Sequence, residues 1–251
     1  MIRVIVAGAL GKVGREIVWA LAKEPEFRLA GAVGRSGAGS DVGDLLGTGR
    51  LGVCLRPELG AAVADAAAMG GADVLVDFST AEAAQAVVPA AIAAGLAPVV
   101  GTTGFPAGSV DAWAEACRAR GVGGAFCANF AIGAMLMIKF AVEARRFMPD
   151  VEIIEMHHHT KRDRPSGTAE LTRQRLQGAG GDLPGPDIPI HSLRLPGMNG
   201  HQAVVFGAPG QTLTIRHDAI SRECYVPGVL MACRWVLRTG RVARDLEELT
   251  T

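Results

Sequence analysis

The chain has few aromatic side chains, 5% of its residues with a single tyrosine, and no excess of either charge. Lysine plus arginine equals aspartate plus glutamate at 25 each. A balanced chain lacks the field that draws a protein to nucleic acid or an anionic membrane, so neither is an expected partner. The five cysteines, Cys54, Cys117, Cys127, Cys224 and Cys233, form no C-x-x-C pair and are odd in number. That argues against a disulfide framework and suits a reducing cytoplasm. No stretch approaches the roughly 18 uninterrupted apolar residues of a membrane span. The opening MIRVIVAGALG has no small-residue cleavage site after its apolar run and reads as a strand.

What is abundant is glycine, at 33 residues, with alanine-rich helical stretches between. IRVIVAG (2–8) is a continuous apolar run, as a strand buried on both faces requires. Residues 12–25 carry apolar side chains at helical spacing and stop at Pro25. Strands follow over 27–34, 73–79, 97–104 and 123–129, with a short candidate over 51–55. Helices are expected over 58–70, 81–95 and 109–121, and Pro89 either sits inside one helix or divides it in two. Residues 36–50 read as loop apart from the stretch around Val42 to Leu46. Repeated strand–helix units with short links imply an α/β fold with a parallel sheet and right-handed crossovers.

The pattern changes near Asn129. A long amphipathic helix over 132–148, a strand over 151–157 and a helix over 168–178 come next. A Gly/Pro-rich loop over 179–190 follows, then three strand candidates, HSLRL, QAVVFG and TLTIRH. Grouped strands of this kind predict a second, mixed sheet in an α+β domain. Residues 222–240 read as a helix with Pro227 early in it. The expected boundaries are 1–128, 129–221, and 222–251 as a segment returning to the first domain.

The first turn, GALGKVG, carries Gly8, Gly11 and Gly14 between a buried strand and a helix. Small residues let backbone approach a pyrophosphate, and the helix N-terminus supplies N–H groups and a favourable field. At this position the loop predicts a Rossmann-like dinucleotide-binding domain; a purely structural tight turn is the alternative. Where an NAD site commonly has an acid to hold the ribose hydroxyls, this chain has Gly34 followed by Arg35. An arginine can clamp a 2′-phosphate, which leans toward NADPH, unless Arg35 is only a solvated charge. Phe78-Ser79-Thr80 and Gly101-Thr102-Thr103-Gly104 follow later strands. They could line the nicotinamide half of such a site or simply cap helices.

Half of the six histidines stand together in EMHHHTKRDRPSGTAE, residues 155–170. Alternation along a strand would put His157 and His159 on one face and His158 on the other, if the strand persisted. No cysteine or H-E-x-x-H motif accompanies them, so no metal is expected. Ser166 can cap a helix beginning near Gly167-Thr168, whose amides would form an anion site beside Lys161. An imidazole adds a proton donor that titrates near neutrality. The cluster describes a pocket for a small carboxylate that must be protonated; a solvated cationic loop is the alternative.

The run from Glu155 to Ala169 resembles the E-x-H-H-x-x-K-x-D-x-P-S-G-T-A signature of the 4-hydroxy-tetrahydrodipicolinate reductase family, also called dihydrodipicolinate reductase, of diaminopimelate and lysine biosynthesis. Shorter matches include Asp77–Ser79, Gly101–Phe105, Asn129-Phe130, Arg194–Gly197 and Pro227-Gly228, so the resemblance covers essentially the whole chain. It implies an NADPH- or NADH-dependent reduction of a small cyclic dicarboxylate. Loss of its 4-hydroxyl gives a conjugated imine, hydride reaches C4, and protonation at C3 yields tetrahydrodipicolinate. It also implies that His157 is the general acid and that His158, Lys161, Gly167 and Thr168 engage substrate. Gly8, Ala9, Leu10, Gly11, Lys12, Val13 and Gly14 would form the pyrophosphate loop, with Arg35 at the adenosine phosphate. Phe78, Gly101, Thr102 and Thr103 would lie on the nicotinamide side, with Ala128, Asn129 and Phe130 near a hinge. The central domain would bind substrate and build a homotetramer. Two departures stand out: Lys12 replaces the usual arginine, keeping charge without a planar fork, and Ala131 replaces a serine. Rival readings are another two-domain nicotinamide enzyme, such as an amino-acid semialdehyde dehydrogenase, and a nucleotide sensor without catalysis.

Overall fold

The computed structural model describes residues 1–179 and 187–250. In chain order the first elements are β1 (Ile2–Ala7), α1 (Gly14–Lys23), β2 (Phe27–Val33), α2 (Val42–Leu46), β3 (Leu55–Arg56) and α3 (Leu59–Ala68). Then come β4 (Val74–Asp77), α4 (Ala81–Ala93), β5 (Ala97–Val100), α5 (Ser109–Arg120) and β6 (Gly124–Phe126). The apolar run in β1 is explained by its position: Val4, Ile5 and Val6 are fully buried, with β2 and β4 paired in parallel on either edge. On α1, the helical spacing of Ile17, Val18 and Leu21 becomes a buried stripe, and the helix stops before Pro25.

Sequence ambiguities resolve through local chemistry. The stretch around Val42 is a helix because the Asp41 carboxylate accepts the Gly43 and Asp44 amides at its start, and Gly47 ends it with φ +70°. Pro89 lies inside one continuous α4 rather than dividing it.

The second group comprises α6 (Ile132–Arg145), β7 (Asp150–His157), α7 (Gly167–Ala179), β8 (Ile190–Arg194), β9 (Gly200–Ala208) and β10 (Gln211–Ala219). These strands form a mixed sheet in the order β10-β9-β7-β8, with only β7 and β8 parallel. Met137 and Ala141 of α6 and Ala169 and Leu176 of α7 cluster with Val151, Ile153, Val204 and Phe206 of the sheet. The amphipathic pattern runs to Met148, yet α6 ends at Arg145, because Pro149 disfavours helical backbone just before it. Most of the Gly/Pro-rich stretch 179–190 lies outside the described residues.

A 3-10 turn (Arg222–Tyr225) leads into α8 (Val226–Thr239), which starts later than residue 222 with Pro227 in its first turn. β11 (Val242–Ala243), too short to leave a sequence pattern, pairs in parallel with β6. The parallel sheet is therefore seven-stranded, β11-β6-β5-β4-β1-β2-β3. Its strand order reverses between β1 and β4, where open α/β sheets bind ligands. The chain separates into two compact units, Met1–Phe130 with Tyr225–Thr251, and Ala131–Cys224. Among the described residues no helix is long and apolar enough to cross a membrane.

Candidate active site

In the first unit the glycine loop is dictated by backbone contact. Gly8 has φ +75°, and a Cβ on it would lie 2.5 Å from the Phe78 carbonyl oxygen. A Cβ on Gly14 would lie 2.1 Å from the Gly8 oxygen, and one on Gly11 3.0 Å from the same atom. The loop thus folds on itself and on the end of β4. Beside it opens a cavity of about 680 Å³, walled by Gly8, Leu10, Gly11, Gly34, Arg35 and Phe78 among others. Ala9 is fully buried behind the loop, Val13 precedes α1, and Lys12 is exposed and off the cavity wall. A glycine-rich loop at a helix start, next to a cavity of this size, fits a dinucleotide.

Phe78 links this loop to the other predicted segment. A Cβ on Gly101 would lie 2.2 Å from the Phe78 ring, so only glycine lets that ring pack there. The Phe78 and Phe130 rings are 5.7 Å apart between centroids. Gly228 of α8 approaches Phe130 so closely that a Cβ would lie 2.0 Å from its carbonyl oxygen. Thr102, Thr103 and Ala128 line a separate cavity of about 350 Å³, and Asn129 is half-buried. Beneath this end of the sheet Asp77 is fully buried and accepts the Ser79 hydroxyl at 2.6 Å. Burial raises its carboxyl above the usual range, while the Ser79 and Thr102 hydroxyls pull it back. Asp77 stands in the sequence only as part of the Asp77–Ser79 match, without a role of its own, because nothing in an apolar strand end marks its depth.

In the second unit β7 ends at His157, so the alternation does not reach His158 and His159. His158 Nδ1 instead meets the Thr160 hydroxyl at 2.6 Å, and His159 is exposed. The His157 Nδ1 atom is hydrogen-bonded to Glu155, two residues back on the same face of the strand. Glu155 is fully buried and receives both arms of Arg194, at 2.7 and 3.0 Å. Arg194 also donates to the Asp163 carbonyl at 2.8 Å, fastening the loop that carries Lys161 to the strand end. Lys161 Nζ pairs with Asp163 at 2.8 Å. Ser166 is buried and its hydroxyl accepts the Ala169 amide at 3.2 Å, the cap expected for α7. Gly167 and Thr168 therefore occupy the first turn, at the positive end of the helix.

Burial pushes the His157 imidazole below its ordinary range; Glu155 pulls it up, and Lys161 and Arg194 push it down again. Burial would raise the Glu155 carboxyl, but Arg194, Ser192 and His157 hold it below the usual carboxylate range. Glu155 and Arg194 were not singled out from sequence for a role of their own. The period of two that places Glu155 beside His157 was available; the partnership with Arg194, 39 residues away, was not.

Two family models match the chain end to end: dihydrodipicolinate reductase, N-terminus, over residues 2–130, and dihydrodipicolinate reductase, C-terminus, over 133–249. The chain belongs to the dihydrodipicolinate reductase family. This reductase is 58% identical over 249 residues to the 4-hydroxy-tetrahydrodipicolinate reductase of Symbiobacterium thermophilum, covering 99% of this chain and 97% of the relative. It is 42% identical over 266 residues to the enzyme of the same name from Thermosynechococcus vestitus, covering 99% and 96%. Among solved structures, the dipicolinate-bound dihydrodipicolinate reductase from Paenisporosarcina sp. TG-14 matches with a TM-score of 0.83 at 32% identity, covering 99% of each chain.

Proposed function

We propose that this chain reduces 4-hydroxy-tetrahydrodipicolinate to tetrahydrodipicolinate, with loss of water, using His157 as the proton donor and Lys161 with the start of α7 as the carboxylate clamp. The reaction is NAD(P)H-dependent, as befits a member of this family with a glycine loop and cavity that fit a dinucleotide. When bound, the nicotinamide supplies hydride. Gly8 and Gly11 offer backbone to the pyrophosphate, Arg35 stands on the cavity wall for an adenosine phosphate, and Phe78 with Gly101, Thr102, Thr103 and Ala128 serves the nicotinamide side. Asn129 and Phe130 lie where the chain leaves the first unit.

The substrate is a small cyclic dicarboxylate. Lys161 and the Gly167 and Thr168 amides neutralise carboxylate charge, His158 contacts the same molecule, and the His157 proton goes to ring carbon C3. The observation that carries this reading is the network in one unit: Arg194 ties the His157–Glu155 strand end to the Lys161 loop just ahead of the capped α7. We assign the first unit to the cofactor and the second to substrate and assembly, as a homotetramer in the cytoplasm. A thiol mechanism of the semialdehyde dehydrogenase kind is disfavoured, because Cys127 is buried and burial pushes its thiol far up.

The test is loss of NADPH absorbance on mixing with freshly generated substrate, for wild type and His157→Gln. Turnover by wild type and a fall of about 100-fold or more in the variant are expected for loss of a general acid. Absence of wild-type turnover would refute the assignment.

A further inference from the structure

We infer that Glu155, gripped by Arg194, is a positioning residue that fixes His157 in the tautomer able to deliver a proton from Nε2. This rests on the reading of His157 as the proton donor. An imidazole can act from either nitrogen, and the hydrogen bond at one decides the chemistry of the other. Here Nδ1 faces a Glu155 oxygen. A carboxylate only accepts, so Nδ1 must carry a hydrogen and Nε2 is the atom that gains and loses the catalytic proton. In the step, the Nε2–H bond breaks, its electron pair stays on the imidazole, and the proton forms a C–H bond at C3. Nδ1–H remains on Glu155 throughout, and Nε2 is reprotonated from water.

Glu155 can play this part only while ionised, and it is fully buried. A buried carboxylate stays charged when a partner compensates it, and the two-armed contact with Arg194 does so. Arg194 is itself 2% exposed in its side chain, so this pair is not a solvated surface bridge. Among the described residues, the charged groups facing His157 are Glu155 on its own strand, Arg194 on β8 and Lys161 from the loop. From β9 and β10, Gly200 and Ala219 bring no charge: a Cβ on Gly200 would lie 3.6 Å from His157 Nε2 and 3.9 Å from the Ala219 Cβ. Glu155 is thus the one negative neighbour among them, set against two cations. Its removal should make His157 harder to protonate.

The experiment is the pH profile of kcat/KM for wild type, Glu155→Gln and Glu155→Asp, with cofactor binding measured for each. Protonated His157 is the active form, so activity falls as pH rises through its pKa. Loss of one adjacent opposite charge lowers a pKa by about one unit or more. For Glu155→Gln the alkaline limb should move acidward by about one pH unit, with about tenfold loss on that limb. The loss should shrink at low pH, with cofactor affinity unchanged. Glu155→Asp, which keeps the charge, should return the limb toward wild type. A limb that stays in place while the rate falls equally at all pH values would overturn the inference and leave the pair a packing element. The wild-type protein gives a second measurement independent of any variant's folding. NMR of 15N-labelled histidine should find neutral His157 protonated on Nδ1, and an Nε2-protonated ring would overturn the assignment. If His157→Gln retains full kcat/KM, the proton-donor reading itself fails; if only the Glu155 results fail, that reading stands without this one.

Discussion

At the scale of single residues, charge decides function where a side chain has few competing partners. Lys161 pairs with the exposed Asp163 carboxylate and stands close enough to act on His157. A charge-assisted contact to substrate contributes about 1.5–3 kcal/mol. Lys161→Ala should therefore lower kcat/KM by about tenfold or more and leave cofactor affinity nearly intact. Steady-state kinetics with a cofactor titration check this, and an unchanged kcat/KM would remove Lys161 from the site. Arg35 is an exposed residue on the cofactor cavity wall, next to a glycine that neither binds ribose hydroxyls nor repels a phosphate. An exposed ion pair adds under about 1 kcal/mol, and a two-armed clamp adds more. NADPH should be used at least as well as NADH, less so at high salt, and Arg35→Ala should lower the NADPH/NADH ratio of kcat/KM several-fold. The ratio measured in wild type and variant decides it.

At the scale of elements, several helix ends are explained by one residue each. Ser166 caps α7, Asp41 caps α2, and Gly47 and Gly121 close α2 and α5 in left-handed backbone. The start of α6 differs. Its N-cap position is Ala131, with extended backbone at φ −76° and ψ 108° and no side-chain acceptor. That is where the family's serine would stand, so the departure noted in the sequence falls on a cap. An N-cap hydroxyl is worth about 1 kcal/mol. Ala131→Ser should raise the thermal stability of the second unit, Ala131–Cys224, by about 4–8 °C and leave the chemical step unchanged. Thermal melts of the two proteins provide the check, and an unchanged or lower Tm would mean that the buried site has no room for the oxygen.

At the scale of the whole molecule, the mixed sheet has one face covered by α6 and α7, and among the described residues no helix of the second unit covers the other. Ile153 and Val204 pair in the covered layer, so the half-buried Ile154 and Val205 point the other way, beside the exposed Glu152–His191 ion pair. An apolar strip across the middle of a sheet calls for a partner, and a second copy of this sheet is the expected one. Light scattering should give four chain masses. Ile154→Glu should shift the population toward smaller species by placing like charges across the contact. A clean monomer mass for wild type at all dilutions would rule out assembly through this face.

Much of this was legible in the sequence because it depends on neighbours along the chain. The buried run of β1, the glycine loop, the stripe of α1 and the Ser166 cap are set by periodicity, by missing side chains and by a hydroxyl three residues from the amide it accepts. The run from Glu155 to Ala169 likewise carries its donor, cation and helix start in one short segment. What tertiary structure alone decided lies between residues far apart in sequence. β11 is two residues long and exists because β6 offers it an edge. Gly101 and Gly228 must be glycine because Phe78 and Phe130 come to lie against them. Arg194 opens the short Arg194–Gly197 match in the sequence, but nothing there says what it pairs with. Only the pairing of β7 with β8 brings it onto Glu155 and makes it the counter-charge behind His157. Local patterns report what a segment can become; which charges meet in the interior is determined by strand register, and register is a property of the folded chain.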